Sequence, residues 1–214
     1  MSYRELVLGC GYRRERLLDP LQHRKPADPP PEDRWQQVTR VDINPDCKPD
    51  YVMDLEQGLW QHREPKNVEL FDMQPNLGGE KKRGVCWAFK PDLFHEVHAY
   101  EVLEHLGRQG DVASFFAHFD AIYRVLKPGG FLCATVPSRY SVWLWGDPGH
   151  RRVIYPTSLL FLHRPHYDQA CGSSPSSDYR PYFNCDFDLV YSYDNEETHA
   201  FILQAIKPAR PPQC

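Results

Sequence analysis

The sequence predicts an α/β fold built on a mostly parallel sheet with an antiparallel edge. Short apolar runs alternate with connecting segments from residue 4 to residue 136. One long amphipathic stretch, residues 111–126, separates two of those runs. The last two runs, 187–193 and 199–206, are joined by Asp194-Asn195-Glu196-Glu197, a hairpin-like connection. Strands that alternate with longer connections call for parallel pairing, and a connection this short calls for antiparallel pairing.

The elements follow in order. Residues 4–9 (RELVLG) read as a short buried strand that ends in glycine. A helix is predicted over part of 13–22, and the proline-rich stretch 23–34 is loop. VTRVDI at 38–43 is a second strand, closed by the turn signal Asn44-Pro45. DYVMD at 50–54 is a third, very short one. Residues 57–93 mix aromatics and glycines with the charge run Glu80-Lys81-Lys82-Arg83, and are expected to form an insertion or lid. FHEVHAY at 94–100 alternates as a fourth strand.

The clearest helix starts at Asp111, a plausible N-cap. Val112, Phe115, Phe116, Phe119, Ile122, Tyr123 and Leu126 then form one apolar stripe, ended by Lys127-Pro128-Gly129-Gly130. FLCATV at 131–136 is a fifth strand. The loop-rich segment 138–182, with a helix near 156–163, is expected on the substrate side. A length of 214 residues suits one domain, 1–214.

Composition narrows the function classes. Against 25 basic residues stand 29 acidic ones, a net charge of −4, which does not favour a broad surface for duplex nucleic acid. No apolar run reaches the roughly 20 residues of a membrane helix, and the N-terminus has no signal-peptide pattern, so a cytoplasmic protein is expected. The seven cysteines are odd in number and never spaced C-x-x-C, which gives no disulfide framework and no structural zinc site. His95 and His98 would face opposite sides of a strand, and His163 and His166 flank an Arg-Pro that should break a helix. No metal is predicted. The sequence sets no oligomeric state.

In open α/β sheets, ligands bind beyond the carboxyl ends of the strands, where strand order reverses. The chemistry-bearing residues fall at those ends. Gly9-Cys10-Gly11 follows the first strand, where glycine lets backbone approach a ligand. Asp42 ends the second, and its carboxylate can accept a ribose diol; the competing role is a turn aspartate before Asn-Pro. Asp54 ends the third and Tyr100-Glu101 the fourth. Together they outline a nucleoside-shaped pocket.

The strings LVLGCG, VDINPDCKPDYVMDLEQG, HAYEVLEHL and IYRVLKPGGFLCATVP resemble class I S-adenosylmethionine-dependent methyltransferases. They are closest in pattern to a small subgroup reading V-D-I-x-P then P-D-x-x-x-D-L, and HAYEVLEH with the glycines after it is similar to phage and prophage versions. The resemblance implies a Rossmann-like fold with seven strands in the order 3-2-1-4-5-7-6, and S-adenosyl-L-methionine as cofactor. Carried over, it implies that Gly9, Cys10 and Gly11 pass under the cofactor, that Asp42 holds the ribose and that Ile43 packs on adenine. Asp54 and Leu55 would meet the adenine edge, and Tyr100 and Glu101 would border the methionine portion. Two departures stand out: Val7 lies where an acid usually precedes the glycines, and Arg13 takes the usual third-glycine position.

Methyl transfer from a sulfonium needs alignment and a dry pocket, and an oxygen or nitrogen acceptor can also need a base. The candidates are His150, His105 and Glu101. Tyr140, Trp143, Trp145 and Tyr155 either line an acceptor pocket or cover the sheet, and Arg151 and Arg152 can bind a phosphate or carboxylate. The acceptor is not specified by the sequence. The alternative readings are a cofactor-binding or inactive interaction module and a nicotinamide-dependent oxidoreductase. The terminal hairpin and the lack of a third glycine, with Arg14 at that place of a dinucleotide fingerprint, count against the last.

Overall fold

A computed structural model describes residues 3–23, 38–56, 89–169 and 177–212. Seven strands form one sheet: β1 (Glu5–Leu8), β2 (Val38–Asp42), β3 (Tyr51–Val52), β4 (Phe94–Tyr100), β5 (Leu126–Pro137), β6 (Phe187–Asp194) and β7 (Thr198–Ala205). Their spatial order is β3-β2-β1-β4-β5-β7-β6. The first five pair in parallel, and β7 lies antiparallel to both β5 and β6. This is the order the resemblance implies. The chain runs outward from β1 to β3 and then crosses back to β4, so strand order reverses between β1 and β4.

One face of the sheet is apolar and covered by α1 (Val112–Val125). Leu6, Leu8, Val97, Ala99, Leu132, Ala134, Phe201 and Leu203 meet Phe116, Phe119, Ile122 and Val125 there. The stripe read from the sequence is the buried face, and Asp111 caps the helix by accepting from the Ser114 N–H at 3.0 Å. β5 starts directly after the helix: Leu126 pairs with Phe94, then Phe131 pairs with Glu96, and residues 127–130 bulge out between the two pairs.

The opposite face is polar in its middle. Glu5 lies beside Glu96 in register, and Glu96, His98 and Tyr100 follow one another along β4 on one side. Arg16 pairs with Glu5, and its guanidinium stands 3.7 Å from Glu96. His98 Nε2 is 3.1 Å from Glu96 Oε2, and Tyr3 donates to the other Glu96 oxygen. The Tyr100 hydroxyl accepts from the Leu17 and Leu18 N–H groups and stands 2.7 Å from His98 Nδ1.

These bonds correct the helix predicted over 13–22. The segment runs as coil with one 3-10 turn at Pro20–Gln22, because its N–H groups and Arg16 bond to the sheet beneath instead of to their own turn. A second correction concerns His163 and His166. Arg164-Pro165 opens the short helix α4 (Arg164–Gln169), with proline in the first turn where its missing N–H costs nothing. Two further short helices, α2 (Trp143–Gly146) and α3 (Pro156–Leu160), lie in the predicted substrate-side segment. Residues 57–88 of the expected insertion lie outside the described residues. Its end returns at Phe89, which packs edge-on against Tyr51 and Phe94. Among the described residues, no helix is long and apolar enough to cross a membrane.

The buried carboxyl of Glu96 gives the fold a pH signature. Burial alone would raise it, but the hydrogen bond and charge of His98, with Arg16 and Tyr3, outweigh burial and hold it at about 2, below the ordinary 4.5. A folded-state value below the unfolded one gives stabilisation that is present above pH 4.5 and lost as pH falls toward 2. Denaturant unfolding across that window should show stability dropping with acid. Glu96→Gln should flatten the drop, and an equally steep drop in that variant would show that other groups set it.

Candidate functional site

The turn after β1 is shaped by backbone that favours glycine: φ is +56° at Gly9 and +48° at Gly11. A Cβ on Gly9 would lie 2.4 Å from Val102 Cγ2, so this glycine lets the β4 tip close against the turn. A Cβ on Gly11 would meet nothing within 4 Å, so the far side of the turn is open. Asp42, at the neighbouring tip, fixes the turn from the side. Its Oδ2 accepts from the Gly11 N–H at 2.6 Å and its Oδ1 from the Asn44 N–H at 2.8 Å. Arg14 donates to the carbonyls of Arg13 at 3.0 Å and Cys47 at 2.8 Å, tying the turn's exit to the residues after β2. The Cys10 thiol is buried between these turns. Burial first, then the charge of Asp42, pushes it up to about 11, so it stays protonated.

Ile43, directly after Asp42, is 65% exposed, an apolar side chain at the rim of the site. Asp54 accepts from the Glu56 N–H at 2.9 Å and shapes the turn beyond β3, while Leu55 points into the core. Tyr100 is turned away from the tips into the network beneath residues 17 and 18. Glu101 is exposed, with φ +54°, and its N–H donates to the Thr135 carbonyl at 2.9 Å. The structure therefore gathers Gly9, Cys10, Gly11, Asp42, Ile43 and Glu101 around the reversal of strand order. The side chains of Leu55 and Tyr100 go elsewhere.

His105 and His150 come together although far apart in sequence. The 3-10 turn Leu103–His105 follows β4, and the Glu104 carbonyl accepts from the N–H groups of Arg151 and Arg152 at 2.9 and 3.0 Å. Gln109 N–H donates to the Arg151 carbonyl at 2.8 Å, and its side chain accepts from Val153 N–H at 2.9 Å. The two loops are thus zipped, and the imidazole rings of His105 and His150 meet edge to face at 4.8 Å. Between them lies the Glu104 carboxyl, 1% exposed, with Oε1 3.9 Å from Nε2 of each histidine. Burial, then the nearby charges of Glu101 and Asp147, raises that carboxyl to about 8.

Arg152 is committed to structure. It is buried and donates to the carbonyls of Leu106, Arg108 and Asp111, while Arg151 pairs with Glu56 at 2.5 Å. Glu56 also accepts from the Gly107 N–H at 2.9 Å. Tyr140, Trp143 and Trp145 neither cover the sheet nor line a closed pocket: they are exposed, and Arg139 lies over Tyr140 and Tyr155. An open cavity of about 670 Å³ lies on the hairpin side, among His23, Leu159, His163, Asp188 and Arg210, and no residue of the strand tips lines it.

Sequence reasoning missed Glu104 as a site residue and missed the Glu5–Glu96–His98–Arg16 network. A signal for the network was present in FHEVHAY, where alternate residues place Glu96, His98 and Tyr100 on one face. Glu104 carried no such signal, because its burial depends on the loop that brings His150.

The strand order is the one that the resemblance to class I methyltransferases implies. No family model and no curated protein matches the chain. Among solved structures, it is similar to an S-adenosylmethionine-dependent methyltransferase from Archaeoglobus fulgidus, at 14% identity and a TM-score of 0.44 over 94% of this chain and 86% of that one. It is similar to another from Mesorhizobium loti, at 12% and 0.44 over 94% and 90%. A third is the N-methyltransferase NodS from Bradyrhizobium japonicum in complex with S-adenosyl-L-homocysteine, at 11% and 0.45 over 95% and 78%.

The turn can be tested by its geometry. Gly9→Ala should destabilise the fold by more than the ~1–2 kcal/mol that a left-handed backbone costs a residue with a Cβ, because the new methyl also overlaps Val102. Adding the same substitution to Val102→Ala should cost less, because the 2.4 Å overlap with Cγ2 is gone and only the closer approach to Cβ, at 2.8 Å, remains beside the backbone part. Equal losses in both backgrounds, measured by urea unfolding, would show that Val102 does not press on the turn.

Proposed function

We propose that this protein transfers a methyl group from S-adenosyl-L-methionine to an acceptor molecule. One observation carries the reading: an open glycine turn, flanked by Asp42 on one side and Glu101 on the other, lies where strand order reverses. That is where an open α/β sheet binds a nucleoside-containing ligand. The residues fit such a cofactor in shape and polarity. Gly11 leaves room above the turn. Each Asp42 oxygen spends one lone pair on a backbone N–H and keeps another for a ribose hydroxyl. Ile43 offers its exposed apolar surface to a purine face, and the turn at Asp54 borders the same tip. The exposed carboxylate of Glu101 suits the ammonium of an amino-acid moiety.

Bound there, the cofactor would supply an activated methyl on a sulfonium. This chain's residues orient it, exclude water and handle the acceptor's proton. His150, His105 and Glu101 surround the tips of β4 and β5 and are the candidate bases. Tyr140, Trp143 and Trp145, exposed on the segment that follows β5, offer flat surfaces to an acceptor.

Calorimetric titration with S-adenosylmethionine, S-adenosylhomocysteine and NAD tests the reading. Binding of the first two without NAD is expected. Response to NAD alone, or to none, would end it. Asp42→Ala should weaken cofactor binding by about 1.5–3 kcal/mol, roughly 10- to 150-fold. Asp42→Asn, which keeps one acceptor oxygen for the turn, should lose less. Unchanged affinity in a folded Asp42→Ala variant would remove Asp42 from the site.

A further inference from the structure

We infer that Glu104, His105 and His150 form a binding site for a divalent transition-metal cation, bound by one carboxylate and two imidazoles. The donor atoms lie within 4.8 Å of one another. The 3.9 Å between Glu104 Oε1 and Nε2 of each histidine is less than two metal–ligand bonds of roughly 2.0–2.1 Å, so a single ion reaches from the carboxylate to either ring.

The histidine tautomer agrees. His105 Nδ1 is 3.0 Å from the Gly149 carbonyl, an acceptor only, so this nitrogen carries the proton and Nε2 presents its lone pair toward Glu104. A buried imidazole or carboxylate aimed at a cluster with no partner calls for an explanation. Both Glu104 oxygens and His150 Nδ1 are buried without a hydrogen-bond partner among the described residues. A cation would give the Glu104 oxygens what the protein withholds.

Charge favours the same occupant. Glu101 and Asp147 lie close enough to act on Glu104, and Asp147 Oδ2 is 3.7 Å from His150 Nε2. A cation there would balance the negative charge gathered around the two histidines. The mixed nitrogen and oxygen donors suit cobalt, zinc or manganese better than magnesium or calcium, which prefer all-oxygen shells. Among the described residues the other cluster of this kind, Glu96, His98 and Cys133, is fully buried, and Arg16 already occupies its charge.

The site stands on its own residues and does not require the methyl-transfer reading; with a cation on both imidazoles, Glu101 is the candidate base that remains. The test is titration of cobalt(II) into the full-length, chelator-stripped protein, followed by visible absorption. One equivalent should saturate a site with ligand-field bands, and magnesium should not displace it. His105→Ala, His150→Ala and Glu104→Gln, each checked for folding by circular dichroism, should weaken binding at least tenfold. No saturable binding in the wild-type protein, or unchanged binding in the two histidine variants, would overturn the inference. S-adenosylhomocysteine titrated into the same preparation separates the two claims. Cobalt binding without cofactor binding would sink the methyl-transfer reading alone, and cofactor binding without cobalt would sink the metal site alone.

Discussion

The hydrogen bond from the Gly11 N–H to Asp42 joins the turn after β1 to the tip of β2 at 2.6 Å, and the shape of the strand tips follows from it. A carboxylate that accepts backbone N–H groups is held in a fixed orientation and holds the backbone in return. Gly9 closes the other side, where the space of its missing side chain is taken by Val102. The turn is therefore braced by both neighbouring strands while its outer side remains open. Rigidity at the base with access above is what a site needs to place a ligand within a fraction of an ångström.

The two faces of the sheet solve different problems. Under α1 the packing is apolar, and the periodicity of the helix states it directly. On the other face, β1 and β4 bring two carboxylates side by side, and the segment after the glycine turn carries Arg16 to them. The burial cost of these charges is met by mutual pairing, and removing one partner would leave the rest unbalanced. This network anchors the segment that leads away from the glycine turn, which links the electrostatics of the interior to the order of the site.

Much of the fold was legible in the sequence because its signals are local. The strands end at glycine, aspartate or proline, the long helix has a cap and a stripe, and the final hairpin has a short connection. The segment 13–22 misled because the bonds that decide it run to Tyr100 and Glu5, far along the chain, and local propensity cannot register them. Proline after Arg164 misled because the residue that breaks a helix interior also starts one. At the site, Gly9, Gly11 and Asp42 were readable from their places at strand ends. Tyr100 and Leu55 were assigned by position along a strand or turn, without knowledge of the face each side chain takes. Glu104 became visible only when the loops 104–109 and 149–153 were seen joined, since no spacing in the sequence brings a buried carboxyl beside a histidine from another loop.

The bulge at residues 127–130 has a consequence for how this chain tolerates changes in length. Helix α1 passes straight into β5, so an added residue within 112–125 would turn the apolar stripe by about 100° relative to the sheet. An added residue inside β5 would swap its inward and outward faces from that point to Pro137. The looped-out Lys127–Gly130 sits between two fixed pairings, and its exposed crown, Pro128 and Gly129, is where a change in length disturbs them least. Insertions and deletions between these elements in related chains should concentrate there, leaving the tip of β5 at a constant height above the site.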